Sequence, residues 1–375
     1  MDLSSEMIHS LLPVFLVSVL GTGAEALGLI EGVAEATASI AKVFSGVWSD
    51  HLGRRKPLVV FGYGLAALAK PLFPLATSAG AVLVARFADR LGKGIRGAPR
   101  DALVADVTPP ELRGAAFGLR QSLDTVGAVL GPLVAIGMMA VLAGNIRAVF
   151  WIAVLPAWAA VALLAVGIDE PTQHADGRPA RTLPHWRDVR LFGAAYWSVV
   201  VIGAVFTLAR FSEAFLILRA HDAGLLLAWT PLALVVMNLT YVASAYPAGK
   251  LSDRIGRVGL LALGLALLIV ADITLALGTQ IGTTLVGIAI WGLHLGLTQG
   301  LLAALVADTA PARLRGSAFG VFYLVGGVAT LVASLLAGIL WESAGPPMTF
   351  FVGAAFSVAA LVGLLGWRMR FASPQ

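Results

Sequence analysis

Apolar residues run along the chain in stretches of about twenty, broken by short polar turns. A helix of that length spans roughly 30 Å of hydrocarbon at about 1.5 Å per residue. The pattern predicts twelve spans, at 1–20, 25–49, 57–76, 81–106, 115–138, 147–167, 192–218, 228–247, 258–277, 282–307, 316–340 and 346–367. Each is expected to be helical, because a lone helix satisfies its own backbone hydrogen bonds where no water can. The first span opens on MDLSSEMIHS, acidic where a secretory leader would be basic, and it is short enough that several residues are expected ahead of Met1.

The pattern then repeats. Residues 103–118 read LVADVTPPELRGAAFG and residues 305–320 read LVADTAPARLRGSAFG, identical at eleven of sixteen positions at an offset of 202. GVWSDHLGRRK at 46–56 and GKLSDRIGRVG at 249–259 agree at an offset of 203. Two segments at nearly one offset imply a duplicated unit of six spans. The expected organisation is a first bundle at 1–168, a proline- and charge-rich linker at 169–190, and a second bundle at 191–375.

Composition agrees with the pattern: 58% of residues are hydrophobic and 13% charged. Placing both termini in the cytoplasm puts fifteen Lys and Arg in cytoplasmic turns and three, Lys70, Arg147 and Arg219, outside. That bias accounts for most of the net charge of +5 without nucleic acid. The chain has no cysteine, which excludes disulfides and thiol chemistry. Its six histidines are scattered, with no HExxH, and no GxSxG elbow is present, so neither a metal site, a cofactor nor an enzyme is expected.

One span breaks the apolar rule. Residues 86–101, RFADRLGKGIRGAPRD, hold seven charges in sixteen residues. On a helix Arg86, Arg90, Lys93, Arg96 and Arg100 form a single stripe. A charge at the bilayer centre costs about 2.5–3.5 kcal/mol even on a permissive scale, so the stripe must face protein or water. Its expected partners are Glu31 and Glu35 with Lys42 on the second span, Asp2 and Glu6 on the first, and Arg120 and Asp124 on the fifth. Glu31, Glu35 and Arg86 are read as a working site or as static bridges between helices. Arg90 and Lys93 either bind an anionic substrate group or counter Glu6 and Asp124. The second half replaces the stripe with Trp291, His294 and Gln299, and its main intramembrane charges are Arg210 and Glu213. His294 is read as a cavity ligand or a packing hydrogen bond. Gly92, Gly94 and Gly97 lack the Lys-Ser/Thr ending of a phosphate loop, and close helix packing is the better account.

The loop pattern GxxxDxxGR occurs twice, at Gly46, Asp50, Gly53, Arg54 and at Gly249, Asp253, Gly256, Arg257. The fourth span carries RxxxxxGxG at Arg86, Gly92 and Gly94, and the fifth carries GxxxGP at Gly127, Gly131 and Pro132, with Ala135 where a further glycine is common. In these motifs and in its duplicated six-span halves the whole chain resembles the major facilitator superfamily (MFS). The resemblance implies an all-α integral membrane fold of twelve transmembrane helices in two pseudo-symmetric bundles. Helices one, two, four and five of the first half then line a central cavity with their counterparts, and the charged spans are those four. It also implies gating by the paired loops, with Arg113 and Arg315 in the repeated LRG segments. The GxxxGP motif is one that the family associates with antiporters.

The expected function is a secondary transporter of the bacterial inner membrane, rocking two halves about a mid-membrane site. No nucleotide-binding segment is present, so an ion gradient, most simply protons, is expected to drive it. A carboxylate moved between a low-dielectric surrounding and a basic neighbour changes its hold on a proton, which suits the acid–base wall. Proton-coupled export of a small organic solute is the leading expectation, by a chain functional as a monomer. Uptake or exchange of an organic anion follows from the basic stripe. A transport-inactive sensor or scaffold is a third class, against which both intact loops argue.

Overall fold

A computed structural model describes residues 1–52, 55–109, 113–167, 191–298, 301–310 and 315–371. Among them no strand occurs. The main helices are α1 (Asp2–His9), α2 (Ala24–Leu52), α3 (Lys56–Ala69), α4 (Ala79–Val107), α5 (Arg113–Val141) and α6 (Ile146–Gly167), followed by α7 (Ala194–Ala209), α8 (Ala214–Asp222), α9 (Leu232–Leu277), α10 (Ile281–Thr298), α11 (Leu301–Thr309), α12 (Arg315–Ala344) and α13 (Pro346–Phe371). Among the described residues, ten stretches are long and apolar enough to cross a membrane. Helices α2 and α4, at 29 residues each, also have the length to cross, and they carry the charges that the other spans avoid. The chain is a multi-pass membrane protein.

The residues group into two compact units, Met1–Thr22 with Val33–Leu183, and Gly23–Gly32 with Pro184–Gln375. The opening turns of α2 therefore belong with the second unit and the rest of α2 with the first. The expected linker, 169–190, lies outside the described residues.

In the first unit α3 packs on α4, and α1 packs on α5 and α6. Glycines set how closely these helices meet, as in membrane bundles generally. A Cβ on Gly92 would lie 2.6 Å from the Gly62 carbonyl oxygen, and one on Gly94 would lie 2.7 Å from the Ala38 carbonyl oxygen. The glycines of the fourth span are packing positions, as expected. Gly127 and Gly131 on α5 meet α1 at Asp2, Leu3 and Glu6. An apolar cluster closes the far end, with Phe15 edge-on to Phe150 at 5.3 Å and Phe73 edge-on to Phe150 at 6.4 Å.

In the second unit α9 packs on α10 and α13, and α13 packs on α7. Phe211, Phe215 and Phe350 meet edge-on, joined by Trp341. Helix α9 is broken at Gly256, whose φ of 72° favours glycine, and this break separates the spans Leu227–Ala245 and Gly256–Leu277. The second GxxxDxxGR loop thus turns the chain at its own glycine.

Both units break their first helix at matching places. Helix α1 ends at His9, before Ser10 and Leu11, and α7 ends at Ala209, before Arg210, Phe211 and Ser212. The 202-residue offset lays Ser10 on Ser212. The three bases expected in outer turns are all engaged rather than freely solvated. Arg147 donates to the Pro74 carbonyl at 2.5 Å, Arg219 donates to the Leu275 and Gly278 carbonyls at 2.9 and 2.6 Å, and Lys70 is buried.

Gly131→Leu is expected to lower stability by about 1–3 kcal/mol by overpacking the α5–α1 seam. Gly137→Leu, on the same helix with nothing within 4 Å of its Cβ position, is expected to leave it nearly unchanged. Thermal unfolding of the detergent-solubilised variants reads both.

Candidate functional site

Helix α4 carries the first unit's polar face, and its charges fall into two paired groups. The first group surrounds Asp89, which is 3% exposed. Lys70 of α3 reaches Asp89 at 2.8 Å and donates to Ser5 Oγ at 2.9 Å. Arg86 and Arg90 approach the other carboxylate oxygen at 4.0 and 3.5 Å. Arg86 also meets His9 Nδ1 at 2.7 Å, and because a guanidinium only donates, that ring nitrogen accepts. Arg90 reaches outward to Glu35 at 3.1 Å.

The second group lies two to three turns further along. Arg96 pairs with Asp2 at 3.7 Å and lies 4.3 Å from the Tyr63 ring centroid. Arg120 of α5 holds Asp101 at 3.1 Å and Asp124 at 3.3 Å, while Arg100 contacts the same two acids at 3.3 and 3.7 Å.

Between the groups stand Lys93 and Glu6. Lys93 is exposed although its stripe neighbours Arg90 and Arg96 are buried, and Glu6 is half-buried. Arg90, Glu35, Glu6 and Arg96 all act on Lys93. Among the described residues, neither Lys93 nor Glu6 closes an ion pair. The ammonium is thus held in a field of both signs with its own contact left open.

The structure separates two acids that the sequence grouped. Glu35 pairs with Arg90, but Glu31 belongs to the second unit, where it accepts from Ser212 Oγ at 3.3 Å. Ser212 lies in the break between α7 and α8, flanked by Arg210 and Glu213. Arg210 stacks over Phe206 at 5.3 Å, its nearby charged and polar groups are Glu213 and Tyr241, and its Nε has no hydrogen-bond partner among the described residues. His294 is fully buried, with Nδ1 2.7 Å from the Gly264 carbonyl and its ring edge-on to Phe206 at 5.6 Å. In this conformation it makes a packing hydrogen bond between α10 and α9. Gln299 lies outside the described residues.

Of the residues expected to gate, Gly46 faces Ala98 of α4, and Pro132 lies inside α5 beside Gly131. Arg257 reaches Asp308 at 2.5 Å, both exposed. Gly53 and Arg54 lie outside the described residues, as do the side-chain surroundings of Asp50, Arg113, Gly249, Asp253 and Arg315.

Two features escaped the sequence reading. Lys70, assigned to an outer turn, is 1% exposed and bonded to Asp89. Asp272 on α9 is fully buried, faces Trp291, and has no hydrogen-bond partner on either carboxylate oxygen among the described residues. The offset of 202 lays Lys70 on Asp272 and Asp89 on Trp291. The first unit's ion pair therefore corresponds to an acid beside an indole in the second. Overlaying the two halves along their whole length, rather than at the loops alone, would have shown it.

With this geometry, known proteins become informative. The sequence profile of the Major Facilitator Superfamily matches residues 1–240 and 220–375. An uncharacterised MFS-type transporter of Methanocaldococcus jannaschii is 33% identical over 375 residues, covering 97% of this chain and 90% of that one. The multidrug resistance protein MdtH of Photorhabdus laumondii is 32% identical over 128 residues, 34% of this chain and 32% of that one. The crystal structure of the nucleoside transporter NupG superposes with a TM-score of 0.77 at 11% identity, covering 100% of this chain and 96% of that one, which shows a shared fold. The chain belongs to the Major Facilitator Superfamily: it is a membrane transporter and not an enzyme.

Removing one member of a buried pair strands the other, at about 3–5 kcal/mol. Asp89→Asn is expected to destabilise on that scale by stranding Lys70, and the double replacement Lys70→Met with Asp89→Leu to recover only part of the loss, since Arg86 and Arg90 also face Asp89. Asp272→Asn strands no cation and is expected to cost less than about 1.5 kcal/mol. Chemical unfolding in detergent compares the three.

Proposed function

We propose that this transporter exports a small organic solute in exchange for protons. The carrying observation is Lys93, an open ammonium beside the unpaired Glu6 in a polar face whose other described bases are paired. A network that served stability alone would gain little from ions, since apolar replacements often do as well as buried pairs. Lys93 and Arg90 are assigned to the substrate, and Glu6, Glu35 and Asp124 to proton exchange, with Arg120 holding Asp124 and Arg86 set beside them at Asp89 and His9. In the second unit Arg210, Glu213 and Glu31 are assigned as that unit's own polar group at the broken first helix, with His294 buried nearby against Phe206. Discontinuous helices mark substrate sites in transporters, which supports this placement.

The antiport direction is supported by GxxxGP at Gly127, Gly131 and Pro132, whose glycines set the α5–α1 seam at Glu6, and by the partial likeness to a multidrug resistance protein. The two GxxxDxxGR loops, with Arg113 and Arg315, are assigned to gating. The excess of Lys and Arg in the turns supports cytoplasmic termini; a bacterial inner membrane and a single copy of the chain as the working unit are proposed with it. A second reading, exchange of an organic anion, is favoured by one observation: the open group of the polar face is a cation.

A thermal-shift screen of the purified protein identifies a solute, since a ligand stabilises the state it binds. That solute is then followed in proteoliposomes under an imposed pH gradient. Antiport predicts movement opposite to the proton gradient, abolished by Glu6→Gln with the thermal shift retained. Lys93→Gln is expected to weaken binding about tenfold, or ~1.4 kcal/mol. Movement with the proton gradient would overturn export, and pH-independent exchange of anions would establish the second reading.

A further inference from the structure

A groove of about 540 Å³ runs along the second unit between the start of α7 and the end of α13, away from the polar residues assigned to transport. Trp197 and Val201 form one wall, Trp367 and Arg370 the other, and Gly363 and Gly366 the floor. The two glycines leave the floor without side chains: a Cβ on Gly366 would meet nothing within 4 Å, and one on Gly363 would meet Ile202 at 3.4 Å. Trp367 Nε1 donates to the Ala195 carbonyl at 3.2 Å, which ties the two helices at the groove's mouth. From Gly363 to Phe371 the lining of α13 runs nine residues, about 12 Å along a helix.

Charge on these helices is distributed one-sidedly. Residues 194–209 and 346–371 contain no acid and two bases, Arg368 and Arg370, both exposed in the last turn of α13. Arg370 lines the groove and its guanidinium lies 5.5 Å from the Phe371 ring centroid. An apolar channel ending in arginine and tryptophan matches a molecule with a long hydrocarbon part and an anionic head. Tryptophan favours the membrane interface, and a guanidinium matches a phosphate bidentately. Since both helices cross the membrane, lipid meets this surface continuously.

We propose that the groove is a binding site for one anionic phospholipid, its acyl chain lying over Gly363 and Gly366 and its phosphate at Arg370. A basic pocket between transmembrane helices selects anionic head groups in the same way. Bound lipid would bridge α7 and α13 and couple the second unit's packing to membrane composition.

The test uses the full chain in phosphatidylcholine vesicles containing, at equal mole fraction, either phosphatidylglycerol or phosphatidylcholine with brominated acyl chains, which quench nearby indoles. The contribution of Trp197 and Trp367 is taken as the difference between the parent protein and the double variant Trp197→Phe, Trp367→Phe. Binding predicts that brominated phosphatidylglycerol is preferred about fivefold at these two indoles. Arg370→Gln, an exposed substitution that leaves the fold intact, is expected to abolish the preference, and Gly366→Leu to reduce quenching by both lipids by filling the floor. Equal quenching by the two lipids, or a preference that survives Arg370→Gln, would overturn the proposal. So would loss of quenching as protein density rises, since a second copy of the chain would then be the occupant.

Discussion

Asp89 governs the first unit because it is an ion buried among helices. Removing a carboxylate from solvent costs several kcal/mol, and only close opposite charge and hydrogen bonds repay it. Lys70 supplies that charge from α3, Arg86 and Arg90 from the same helix, and Ser5 and His9 hold the lysine and the arginine from α1. Three helices are thereby fixed around one carboxylate. The close seams at Gly62, Gly92, Gly127 and Gly131 bring those helices near enough for the bonds to form. Lys93 is left open between two ion-paired groups.

The second unit shows the same architecture with different contents. It breaks its first helix at the matching position and packs α9 on α10 as the first unit packs α3 on α4. The positions of Lys70 and Asp89 hold Asp272 and Trp291, and those of Arg86, Arg90 and Lys93 hold Ile288, Gly292 and Leu295. One half has kept an ionic interior and the other an aromatic one, with Arg210, Glu213 and Glu31 as its polar exception.

Much of this was legible in the residues. Span length and hydropathy give the helices, because lipid leaves a single chain segment few other choices. The offset of 202 gives the duplication, and the three-and-four spacing of Arg86, Arg90 and Lys93 gives one polar face. What the spacing did not give was pairing. Glu31 and Glu35 lie one turn apart and look equivalent, yet one meets Arg90 and the other Ser212, because neighbours across helices are set by packing that periodicity does not encode. Lys70 resembles a loop residue since it sits at the end of an apolar run, and its burial depends on Asp89 being one helix away. Asp272 is a single acid in a long apolar stretch, which composition averages away.

The central claim is that the polar face of α4 meets water within the protein while its opposite face meets lipid. The chain contains no cysteine, so single cysteines report cleanly. Lys93 and Val84, both exposed, are nine residues apart, which places them on opposite faces of α4 at about 3.6 residues per turn. A membrane-impermeant thiol reagent modifies the thiolate, which forms in water and not in hydrocarbon. The account predicts rapid modification of Lys93→Cys and none of Val84→Cys in reconstituted vesicles. Modification of Val84→Cys with Lys93→Cys inert would contradict it.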